Sequence, residues 1–317
     1  MRTPLWRRTP PAIFPVTLGF LGLGILWRHA AQVLGLPLWI GDILSGAAVM
    51  FFVYFAGLYV AKWVARPGVL FEDLKTPPAR AGVSAMAMSV MLVPAILLDY
   101  GVALEWLWWL GVVLQVLMAA LVTVEILKSP VETRAFSPFQ HLTYVGLIVA
   151  PIAGYPLGYA EFSHDIGLLS IVIFTVITVG YVRKLMRNPP PPPLCPSLVI
   201  TLSPLSLFGV MFALSGDDTA FAVAYALAVL TAFGLLGAAR WMTAGGWTPV
   251  WGAFTFPLAA FGNLQVSAIG QGYGLIAELL LWGTLGLASA VILFVLYRST
   301  RAFVTGELSQ KSAAATA

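Results

Sequence analysis

Ten apolar stretches, each near the length of a bilayer crossing, leave this 317-residue chain few ways to fold. They run over approximately 12–34, 40–65, 81–100, 105–127, 138–159, 165–187, 197–215, 219–242, 249–270 and 274–298. About 20 apolar residues carry a helix across the hydrocarbon core. Charged residues are only 9% of the chain, where a soluble domain carries roughly a quarter. Strands of a membrane barrel alternate apolar and polar positions, whereas the run from Phe221 to Leu236 is apolar on every side. The expectation is an all-α polytopic membrane protein, with the lipid bilayer as its first partner. Its parts are an N-terminal tail over 1–11, a ten-helix transmembrane domain over 12–298 and a C-terminal tail over 299–317. Arg2, Arg7 and Arg8 precede a long span that lacks a small-residue cleavage site. That segment reads as a retained tail and not as a signal peptide.

Prolines divide the spans into two classes. Pro15, Pro94, Pro151, Pro204 and Pro257 fall in the first, third, fifth, seventh and ninth spans, and the even spans have none. Proline removes a helical hydrogen bond and crowds the carbonyl four residues back, so it bends or breaks a helix. The last three gaps between these prolines are 57, 53 and 53 residues, the size of one helical hairpin and the mark of a repeated unit. Five hairpins, each with one Pro-kinked and one straight helix, predict a ring around a central pore. The odd helices are expected inside and the even helices outside.

Charge sets the orientation. Sixteen of the 17 basic residues fall on the side of the two tails and the 2–3, 4–5, 6–7 and 8–9 loops; only Arg28 falls on the other. The opposite turns carry acids, among them Asp99, Glu105, Glu161, Asp165, Asp217 and Asp218. The positive-inside rule makes the basic side cytoplasmic, with both termini inside. The net charge of +4 is this asymmetry, and no basic run is long enough to engage nucleic acid. The run Pro189 to Pro193 reads as a stiff inner connector.

The middles of the odd spans hold no charge. They offer hydroxyls and an amide: Thr17, Ser89, Thr143, Thr201, Ser203, Thr255 and Asn263 are the pore-lining candidates. A path without fixed charge favours passage over storage of an ion. Its sign stays open between carbonyls freed by the prolines, which attract cations, and hydroxyl or amide donors, which favour anions. Glycines such as Gly19, Gly22, Gly24, Gly146 and Gly154 serve either close helix packing or an open lumen. Phe256 stands immediately before Pro257 in the ninth span, where a ring at a kink can plug a weakly polar path. Arg28 and His29 read as an anion contact or an interfacial pair, and Asp42 and Glu278 as relay or interfacial groups. The single cysteine, Cys195, excludes an intrachain disulfide and a cysteine-based metal site. Neither H-E-x-x-H nor G-x-S-x-G occurs, so an enzyme is not expected. No cofactor or metal is expected either.

At Phe254-Thr-Phe-Pro-Leu258 the chain resembles the tellurite-resistance/dicarboxylate transporter family. That family includes bacterial TehA, the plant slow-type guard-cell anion channels, and fungal malate and sulfite exporters. The opening of span one from Phe14 to Gly24, with Trp27 beyond it, and Ser203-Pro204 in span seven are similar too. The resemblance covers nearly the whole chain. It implies a homotrimer with one pore per protomer, an electropositive lumen, passive conduction of small anions, and a gate at Phe256. The expected site is a bacterial-type inner membrane. The alternative it leaves is a secondary transporter or exporter of C4-dicarboxylates, sulfite or tellurite. The long regulatory tails of the plant channels are missing.

Overall fold

A computed structural model describes residues 4–129 and 134–317. Arg2 lies outside the described residues. Every regular element among the described residues is helical. The spans are α1 (Phe14–Leu34), α2 (Leu38–Ala65), α3 (Pro77–Leu98), α4 (Glu105–Lys128), α5 (His141–Gly154), α6 (Ala160–Arg187), α7 (Pro192–Ser215), α8 (Asp218–Gly237), α9 (Thr255–Gly270) and α10 (Gly274–Thr305). Eight spans are long and apolar enough to cross a membrane. The other two, α5 and α9, are the shorter and less regular ones. α5 is assembled from a π turn, a 3₁₀ turn and one α turn, and a 3₁₀ turn, Pro249–Phe254, precedes α9.

The two classes of span occupy two layers. In α1, α3 and α7, 78% of the most apolar stretch is buried; in α2, α4, α6, α8 and α10 the share is between 22% and 33%. The inner helices close a ring: α1 packs on α3, α3 on α5, α5 on α7, α7 on α9, and α9 back on α1. Each outer helix lies against its own hairpin partner and touches the next inner helix, α10 reaching round to α1. Val53, Val113, Val172, Leu230 and Leu279 on the outer helices stay exposed, as the surface of a membrane protein requires, because lipid tails are as apolar as leucine.

The prolines act differently from simple mid-helix kinks. Pro15, Pro151, Pro204 and Pro257 sit in the first turn of an α segment, each directly after a 3₁₀ turn. There the missing N–H is one that no helix would use, so the change of helix type takes the strain. Pro94 alone lies inside a continuous helix, α3. Inner glycines seat neighbours rather than hold a lumen open. A Cβ on Gly24 would meet Ser45, one on Gly146 would meet Gln115 and Met88, and one on Gly154 would meet Ser163 and Trp108.

Helix α10 continues past residue 298 to Thr305. The residues after it do not trail away, because the Ala317 amide donates to the Arg7 carbonyl at 2.9 Å. Arg7 and Ala317 thus lie on the same face of the molecule. Lys62, counted among those loop charges, is fully buried in the last turn of α2. It pairs there with Asp73 at 2.9 Å and donates to the Thr9 carbonyl.

Candidate functional site: a divided lumen inside the helix ring

Two cavities lie within the ring. The one toward the basic face has a volume of about 380 Å³ and takes Pro15, Ala81, Leu142, Ile200 and Ala253 from the inner spans or the turns leading into them. The one toward the acidic face has about 420 Å³ and takes Gly22, Leu92, Ile152, Leu207 and Phe256 from the same five elements in turn. Walls of both are predominantly carbon. Phe256 lies at the basic-side end of the second cavity, with 6% of its surface exposed. Its position is set by α1. A Cβ on Gly19 would lie 2.8 Å from the Phe256 amide nitrogen, and one on Gly22 would lie 3.3 Å from Cδ2 of its ring. Only glycines at these two places let α9 come this close.

Most of the sequence-predicted lining residues fall between the two cavities along their helices, and their polar atoms are already engaged. Thr17 donates to the Phe14 carbonyl, Ser89 to Ala85 and Ser203 to Ile200, each between 2.8 and 2.9 Å. Thr143 meets Ser84 at 3.0 Å, and Thr201 meets Tyr181 of α6 at 2.5 Å. Thr255 donates to the Pro15 and Gly252 carbonyls. Asn263 differs: it lines the acidic-side cavity, and its Oδ1 lies 3.2 Å from His29 Nδ1.

Side chains of α4 bond carbonyls of the irregular α5 from outside. Gln115 of α4 donates through one nitrogen to the Leu142 and Thr143 carbonyls, both at 2.8 Å. Trp108 donates to the Ala150 carbonyl at 3.0 Å. Reading the spans for what the odd helices might present to a lumen overlooked Gln115; the signal was a lone amide in an otherwise apolar outer span. Trp108 is fully buried and points inward, while Trp106 two residues before it is exposed.

At the acidic-face mouth, Arg28 holds the protein's own carboxylates. It pairs with Asp42 and with Asp99, and its guanidinium stacks 4.4 Å from the Tyr100 ring centroid. His29 Nε2 lies 3.5 Å from Asp99. Both His29 and Asp99 line the cavity. Burial, and a hydrogen bond given to Asp42, push the Tyr100 hydroxyl above its ordinary pKa.

The family model of voltage-dependent anion channels, SLAC1, matches residues 8–302. The chain belongs to the SLAC1 family. No curated protein matches it significantly. Membership fits a SLAC1-family ring whose lumen carries no fixed charge between its two cavities, and it makes this an integral membrane protein that handles small anions. Among the described residues no group of His, Cys, Asp and Glu is placed to hold a metal ion.

Proposed function

We propose that this SLAC1-family protein is a passive channel for small anions with Phe256 as its gate. The observation that carries the reading is the placement of Phe256 at the basic-side end of the acidic-side cavity, with its ring against Gly22. A narrow apolar neck excludes water, and an ion that cannot keep its hydration shell does not pass. Two features support the anionic sign. The Leu142, Thr143, Ala150 and Pro15 carbonyls accept hydrogen bonds from side chains, which weakens them as cation ligands. The basic rim raises the local concentration of anions at its face. In this reading the basic face is cytoplasmic, the membrane is a bacterial-type inner membrane, and three copies assemble with a pore in each.

One observation favours the alternative, a coupled carrier of dicarboxylates, sulfite or tellurite: His29 and Asp99 line the acidic-side cavity. Uptake that saturates and follows a pH gradient would select it. Reversal potentials in a potassium nitrate gradient test the sign directly. The channel reading expects a potential near the nitrate equilibrium value, and a potential near the potassium value would contradict it.

A further inference from the structure

The basic-side cavity is completed by the tail. Gly306, at φ +79°, ends α10 and turns the chain back beneath the ring. A short helix, Glu307–Lys311, follows, and Lys311, Ser312 and Ala313 line the cavity. The segment is tied down by the Ala315 amide, which donates to Asp73 at 2.8 Å, and by the Ala317 amide on the Arg7 carbonyl.

Trp247, in the loop before α9, lines the same cavity. Two cations lie against its ring: the Arg298 guanidinium at 4.8 Å from the centroid and Lys311 Nζ at 5.4 Å. Its Nε1 is shut off from solvent and has no hydrogen-bond partner among the described residues. An indole N–H can only donate, and a buried donor left without a partner is costly. A structure that keeps such a donor asks for an acceptor. Arg298 forms no ion pair among the described residues. Lys311 has one partner, Glu307, at 2.5 Å, which leaves donors to spare on an ammonium that has three. Counting Glu307, the group is net positive.

We infer that Trp247, Arg298 and the tail residue Lys311 form a recruitment site for a small anion at the basic-face mouth of the lumen. The anion sits between the two cations and takes the Trp247 N–H once the side chains that cover Nε1 move aside. The site gathers the permeant species before the Phe256 neck, so this inference rests on the channel reading for its role, though not for its binding. The shared chemistry is an anionic acceptor. A lipid phosphate is the second source, and the lipid composition of the test separates the two.

Nitrate is the probe. In neutral detergent, rising nitrate is expected to raise the melting midpoint of the wild-type protein, since a ligand that binds only the folded state stabilises it. Trp247→Phe keeps the ring and loses the donor; Lys311→Gln keeps the length and loses the charge. Each is expected to raise the half-effective nitrate concentration about tenfold to a hundredfold, the size of one charge-assisted hydrogen bond. The same ratio is expected for the half-saturating nitrate concentration of conductance in pure phosphatidylcholine. Half-effective concentrations equal to wild type in both variants overturn the site. A difference seen only when anionic lipid is added assigns it to a headgroup and overturns the free-anion reading. Absent conductance in wild type with the nitrate shift intact would sink the channel and leave the site standing.

Discussion

Phe256 and Gly22 are one unit. The ring has its place because α1 offers no Cβ there, and a Cβ at 3.3 Å is tight enough that the ring must move. Gly22→Val is therefore expected to raise basal anion leak in proteoliposomes by crowding the closed position, and an unchanged leak would separate the two residues. Lys62 and Asp73 form the other residue-scale unit. They are fully buried, Tyr59 also donates to Asp73, and Asp73 in turn receives the Ala315 amide. Removing one member leaves a buried charge unpaired, at about 3–5 kcal/mol. Lys62→Met should lower the melting midpoint strongly, and adding Asp73→Leu should recover much of that loss. Neither unit was legible in the sequence. Gly22 was one of several glycines in span one, and Lys62 looked like one more interfacial cation, because the contact that defines each crosses from one element to another.

The alternation of proline-bearing and proline-free spans did reveal the inner and outer helices, since an inner position tolerates irregular backbone and an outer one in lipid does not. What it did not show is the manner. At Pro15, Pro151, Pro204 and Pro257 the chain changes from 3₁₀ to α, and only at Pro94 does a helix run through the proline. Proline at a compatible first-turn site stabilises by about 0.4–1 kcal/mol through the unfolded chain. Pro204→Ala should therefore lower stability by no more than that, while Pro94→Ala should be neutral or stabilising because a helical N–H is restored. Thermal midpoints of the two variants check the contrast. The hydroxyls chosen from the odd spans illustrate a second gap. Thr17, Ser89 and Ser203 satisfy the backbone three or four residues back, a local bond that residue type alone does not announce. Gln115 is the converse case, an outer-helix side chain that mends inner-helix backbone. Gln115→Leu is expected to cost about 1 kcal/mol, in line with interhelical hydrogen bonds in membranes, read as a lower midpoint in detergent.

For the molecule as a whole, the positive-inside rule predicts that the basic face is cytoplasmic. With Cys195 replaced by alanine, a cysteine at Lys184 should react with an impermeant maleimide only after the membrane is opened, and one at Asp165 should react in intact cells. The reverse pattern would invert the topology. The five-fold arrangement places one element per hairpin around two cavities, with Phe256 at the basic-side end of the second. The most direct measurement is the conductance of Phe256→Ala beside wild type in planar bilayers under one nitrate gradient. A conductance well above wild type, at an unchanged reversal potential, is the predicted result; equal conductance would show that Phe256 does not close the lumen.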